Sequence, residues 1–199
     1  CERDPSGDLR GALTPHKARN QAAIRPEELP ALLKAIDRYP EIGDRQTALG
    51  LRLLCLTFVR TTELIGAEWS EFRDLDGKVP TWEVPAERMK MKEAHIVPLS
   101  RQAVALLKEL RVIAGNSRYV LAGRNRDKPV SNNTLLFALY RLGYKGKMTG
   151  HGFRAVASSA LNEAGWRPDV IERQLAHKEP NKVRAAYNRS TCGTRSSRV

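Results

Sequence analysis

The chain has 199 residues, of which 41% are hydrophobic and 28% charged, which suits one large globular domain with a buried core and excludes a disordered chain. Lys and Arg number 34 against 22 Asp and Glu, a formal charge of +12; residues 1–85 carry 12 basic and 14 acidic groups, residues 86–199 carry 22 and 8. The excess points to a polyanionic partner, nucleic acid ahead of an anionic membrane or an acidic protein, while apolar stretches such as Leu53 to Val59 are too short to span a membrane.

Residues 1–24 are polar and turn-rich, with Pro5, Gly7, Gly11 and Pro15, and read as a linker from an upstream domain. The start at Cys1 instead of Met adds the expectation of a fragment of a longer protein. Arg25-Pro26-Glu27-Glu28 opens a helix whose apolar residues Leu29, Leu32, Leu33 and Ile36 recur at helical spacing, and Tyr39-Pro40 ends it. Asp44 is expected to cap a second helix, apolar nearly all round from Ala48 to Phe58 and therefore central. A short third helix is expected from Thr61 or Thr62 to Trp69. Between residues 70 and 99 the period changes to two. Thr81-Trp82-Glu83-Val84 and Ala94-His95-Ile96-Val97 alternate, so two or three short strands are predicted, with Arg88-Met89-Lys90-Met91-Lys92-Glu93 at or beside a turn.

Ser100 and Ser131 are expected to cap the next two helices. Gly150-His151-Gly152-Phe153-Arg154 opens another, closed by Gly165; Pro168 starts the next and Asn181 caps the last. The architecture is α+β, mostly helical with a small antiparallel sheet. Trp69, Trp82 and Trp166 read as packing anchors, His95 as a strand surface residue and His16 as a linker residue. Cys1, Cys55 and Cys192 show neither a disulfide framework nor zinc-ligand spacing, and a reducing cytoplasm follows.

His151 and Arg154 stand three apart, on one face of a helix. They read either as an exposed basic helix start or as a phosphate grip, with the guanidinium offering a fork to two oxygens. His177 follows 23 residues after Arg154, and Tyr187 ten residues later between Arg184 and Arg189. A tyrosine there is either an amphipathic packing residue or a nucleophile whose oxyanion cations stabilise.

Taken in order, Arg60, a lysine near the strand turn, His151-x-x-Arg154, His177 and Tyr187 resemble the tyrosine recombinase (phage integrase) family, over Arg25 to about Arg189. The segments Arg88 to Leu99 and Leu175 to Arg189 resemble the integrases of prophages, satellite phages and genomic islands. The resemblance implies a tyrosine recombinase catalytic domain at 25–189. Residues 1–24 would be the linker from a missing core-binding domain, and 190–199 an atypical, disordered tail.

It further implies that Arg60 and Arg154 grip the scissile phosphate and that His151 is the general acid/base partner. His177 would be a second phosphate donor and Tyr187 the nucleophile of a 3′-phosphotyrosyl intermediate. Lys90, eight residues before Pro98, would protonate the leaving 5′-oxygen, with Lys92 as the alternative. Glu63 would brace an arginine or cap its helix. Neither metal, ATP nor another cofactor is implied. The implied partners are double-stranded attachment-site DNA and a homotetramer on it, without a membrane, in the cytoplasm of a bacterium. Phe58 departs from the glycine usual two residues before the first arginine. The alternative is a catalytically impaired integrase fragment that only binds DNA, which the chain's departure from the family after about Ser190 would favour.

Overall fold

The helix with the most buried residues among the described ones is the central helix. In the computed structural model, which describes residues 22–89 and 92–177, this helix is α2, Arg45–Thr57, preceded by α1, Leu29–Arg38. α2 buries Ala48, Leu49, Leu51, Leu53 and Leu54, on nearly all sides. α1 follows a 3-10 turn at Pro26–Glu28 and buries one stripe, Leu32 and Ile36, against it. Asp44 occupies the N-cap position of α2 as expected, yet its side chain makes no capping hydrogen bond. Ile24 lies in the core, and the Ala22 carbonyl accepts from the Thr149 N–H at 3.1 Å, so packing begins before residue 25.

α3, Thr61–Ile65, stops short of Trp69, which instead begins a separate 3-10 turn at Trp69–Glu71. A three-stranded antiparallel sheet follows in the order β1 (Phe72–Arg73), β2 (Thr81–Val84), β3 (His95–Pro98). Trp82 pairs with Val97 and Val84 with His95 across β2 and β3. Trp82 and Val84 are fully buried and Glu83 points out, as period-two patterning requires. Phe72 stacks on Trp82 with ring centroids 5.2 Å apart.

α4, Arg101–Ala114, packs along α2 and is capped by Ser100, whose Oγ accepts from the Ala103 N–H at 3.2 Å. α5, Thr134–Leu139, has Asn133 rather than Ser131 at its N-cap, because Ser131 spends its hydroxyl on the Asn133 N–H in the preceding turn. α6, Gly152–Glu163, is followed by Gly165 at φ 75°, and α7, Pro168–Gln174, starts on its proline. The α+β expectation therefore holds. Of the three tryptophans, Trp82 is fully buried and Trp69 half-buried, but Trp166 is 59% exposed and is not the buried anchor expected. The expected cap at Asn181 lies outside the described residues. No helix among the described residues is long and apolar enough to cross a membrane.

Candidate active site

Arg60 sits where α2 gives way to α3. α2 ends at Phe58 in the left-handed region, φ 57° and ψ 20°. That turn exposes the Phe58 carbonyl and sends Val59 into the core, so Arg60 emerges as the N-cap of α3. Glu63, 3% exposed, fixes it twice. One carboxylate oxygen accepts from the Arg60 backbone N–H at 2.8 Å and the other from Nη1 at 2.6 Å. The acid thus both caps α3 and braces the guanidinium, the two roles considered for it.

Arg154 enters from α6. The loop before α6 packs tightly on α3, since a Cβ at Gly150 would collide with Thr61 Oγ1. Thr149 Oγ1 accepts from the Gly152 N–H at 3.1 Å and opens the helix. His151 stands exposed at the N-cap, and Arg154, one turn on, is 3% exposed. Arg154 Nη1 donates to the Phe58 carbonyl at 2.5 Å and Nη2 donates to the Leu175 carbonyl. Its Nε is buried without a hydrogen-bond partner among the described residues. Burial, and then the charge of Arg60, pull its pKa down to about 10, with Glu63 and Glu172 acting the other way. It remains a cation at neutral pH.

His177 completes the group. α7 ends at Gln174, and the chain turns through Ala176 at φ 48°. His177 Nε2 lies 3.1 Å from Arg154 Nη2, and Nδ1 lies 2.7 Å from Glu172 Oε2. A guanidinium only donates, so these neighbours assign the ring proton to Nδ1 and the lone pair to Nε2. His151 responds to the same charges. Burial first, then Arg154, Arg60 and His177, hold its pKa below the ordinary 6.5. Three distant segments of chain therefore converge on one cationic pocket.

Of the other expected site residues, Lys90 and Tyr187 lie outside the described residues. Lys92 is exposed, at φ 55°, and its Nζ donates to the Glu87 carbonyl at 3.3 Å. His95 is not the surface residue expected. It is half-buried, with its ring close to the backbone of Gln174, and it feels Glu63, Arg154 and Arg60. Burial is the main reason its pKa is lowered. The signal was in the alternation, because His95 shares a strand face with buried Val97 and pairs with buried Val84.

The model for the phage integrase family matches residues 22–193. The integrase of Enterobacteria phage P4 is 43% identical over 200 residues, covering 92% of this chain and 44% of that protein. Prophage integrase IntZ of Escherichia coli (strain K12) is 44% identical over 189 residues, covering 94% and 45%. The chain thus spans less than half the length of these relatives. Among solved structures, a lambda integrase dimer bound to a COC′ core site superposes with a TM-score of 0.63 at 18% identity, covering 95% of this chain and 54% of that one. XerA recombinase superposes with a TM-score of 0.60 at 19% identity, covering 92% and 68%. A lambda integrase tetramer bound to a Holliday junction gives 0.63 at 18% identity, covering 86% and 52%. These likenesses concern the fold.

Proposed function

Because the chain belongs to the phage integrase family, we propose that it is the strand-cleaving and strand-joining part of a site-specific tyrosine recombinase, which integrates or excises a phage or mobile element. The observation that carries this reading is the state of Arg154. It is a buried guanidinium held by two carbonyls and an imidazole and repelled by Arg60, with no carboxylate in ion-pair contact among the described residues. A buried cation so placed is completed by an anion, and a DNA phosphate with Arg60 and His177 beside it supplies one.

In this reading the Tyr187 oxygen attacks the scissile phosphorus. The new phosphorus–phenol oxygen bond forms, the bond to the 5′-oxygen breaks, and the 3′ side stays on the tyrosine. His151 is neutral at pH 7, because its pKa is lowered, and so takes the phenol proton. Lys90, or Lys92 in its stead, gives a proton to the leaving 5′-oxygen. Arg60 and Arg154 hold the non-bridging oxygens as their charge grows in the pentacoordinate transition state. His177, on taking a proton from solvent at Nε2, exchanges its contact with Arg154 for a bond donated to the phosphate, while its Nδ1–H stays on the Glu172 carboxylate. Attack by the 5′-hydroxyl of a partner strand reverses the chemistry and reseals the DNA.

The substrate in this reading is duplex attachment-site DNA. The working assembly is a homotetramer of the full-length protein on that DNA, and the compartment is the bacterial cytoplasm. The DNA-bound dimer and the tetramer on a Holliday junction among the structural neighbours support the first two. The test is a nicked suicide duplex carrying the attachment site, resolved on a denaturing gel. The wild-type chain is expected to give a covalent protein–DNA band and Tyr187→Phe none. Equal bands in both would overturn the assignment, and no band in either would favour a module that only binds DNA.

A further inference from the structure

The connection between β2 and β3 carries both candidate lysines, and each of its feet is fastened by a side chain that the chemistry above leaves unused. At the outgoing foot Arg88 closes a 3-10 turn at Ala86–Arg88. Its Nη2 donates to the Glu63 carbonyl at 2.8 Å and to Glu71 Oε2 at 3.1 Å, and its Nε lies 3.0 Å from Glu71 Oε1. Glu71 also accepts from Trp82 Nε1 at 2.8 Å, which ties the same carboxylate to the sheet. The guanidinium passes so close to Gly66 that a Cβ there would collide with Arg88 Nη1. Glu63, whose carbonyl Arg88 holds, is the residue that braces Arg60.

At the returning foot His95 is half-buried, with its ring close to the backbone of Gln174, the last residue of α7. Gln174 is itself anchored, with Nε2 donating to the Thr57 carbonyl at 2.9 Å. The next residue, Leu175, gives its carbonyl to Arg154, and His177 follows two positions later. One foot is thus fastened to the Arg60 side of the pocket and the other to the Arg154–His177 side. Proton donation to a leaving oxygen needs a heavy-atom distance of about 3 Å, and a donor on a loosely held connection loses rate steeply with misplacement.

We propose that Arg88 and His95 are positioning residues for the leaving-group lysine, holding the two feet of its connection in register with the phosphate pocket. This rests on the reading of Lys90 or Lys92 as the general acid, and it applies to either, because both lie between the two feet. The test compares single-turnover cleavage of two suicide duplexes that differ in one atom. In the second, sulfur replaces the 5′-bridging oxygen of the scissile phosphate. A thiolate leaves without a proton, so the lysine becomes dispensable.

Alanine at the acting lysine, Arg88→Ala and His95→Ala are each expected to lose at least about tenfold on the oxygen substrate and to recover most of that loss on the sulfur one. Arg154→Ala is expected to stay slow on both. His95→Gln, which keeps a polar side chain of similar reach beside Gln174, should retain more activity than His95→Ala. Arg88→Lys, which keeps a cation beside Glu71 and so protects the fold, should show the same sulfur rescue if Arg88→Ala misfolds. Equal losses on both substrates, or no loss on oxygen, would overturn the proposal. If sulfur fails to rescue either lysine variant, the general-acid assignment itself falls and takes the proposal with it.

Discussion

Phe58 shows how one residue's backbone sets the pocket. At φ 57° it adopts a conformation that costs a residue with a Cβ about 1–2 kcal/mol, and its carbonyl faces the Arg154 guanidinium. A glycine at this place, usual in the family, meets the turn without that cost. Phe58→Gly is therefore expected to be at least as stable as Phe58→Ala in urea unfolding, the reverse of the order within a helix. An alanine variant clearly more stable than the glycine one would contradict the turn. His151 is governed by charge instead. Its folded pKa lies below 6.5, so the unfolded chain binds more protons as pH falls through that window, and His151 subtracts stability there. In the DNA-free chain its imidazole resonance should titrate with a midpoint below 6.5 and move up when duplex DNA brings a phosphate beside it. A midpoint above 6.5 without DNA would argue against the crowded cations.

Helix starts illustrate what an element takes from its flanks. Asp44 and Ser100 are both good cap residues directly before apolar helices, and by residue type they are equivalent. The structure separates them. Ser100 Oγ meets the Ala103 N–H, whereas the Asp44 carboxylate meets no backbone donor of α2. Ser100→Ala is expected to cost about 1 kcal/mol, and Asp44→Ala about half that or less, since only its attraction to the helix dipole is lost. Thermal or urea unfolding of the two variants decides it, and a larger loss for Asp44→Ala would refute the assignment of the caps.

Over the whole molecule, charge and chemistry are divided differently along the chain. The positive excess lies after residue 85, yet Arg60 and its brace Glu63 come from the part with 12 basic and 14 acidic groups. Many basic side chains are partnered at the surface, as in Arg45–Glu109, Lys108–Asp76 and Arg167–Asp169, pairs worth little to stability. The excess is what remains to attract a polyanion, DNA in the function proposed above. Affinity for a duplex of arbitrary sequence is expected to fall at least about tenfold between roughly 50 and 200 mM salt, as for a protein neutralising three or more phosphates. Titration of a labelled duplex by anisotropy measures it, and a flat response would contradict phosphate-dominated binding.

The residue pattern by itself determined the central helix, the two longer strands and the α+β class, because periodicity is a local property of a chain, and it singled out Arg60, His151, Arg154 and His177, which the fold brings together. Only the tertiary structure decided that Arg154 is buried against the Phe58 and Leu175 carbonyls and that His95 is half-buried within the fields of Arg60, Glu63 and Arg154. Those facts depend on which segments meet. The partners of Arg154 stand 96 and 21 residues away from it, and Gln174 lies far along the chain from His95. Trp166 makes the same point in reverse: its residue type promised an anchor, but it stays 59% exposed.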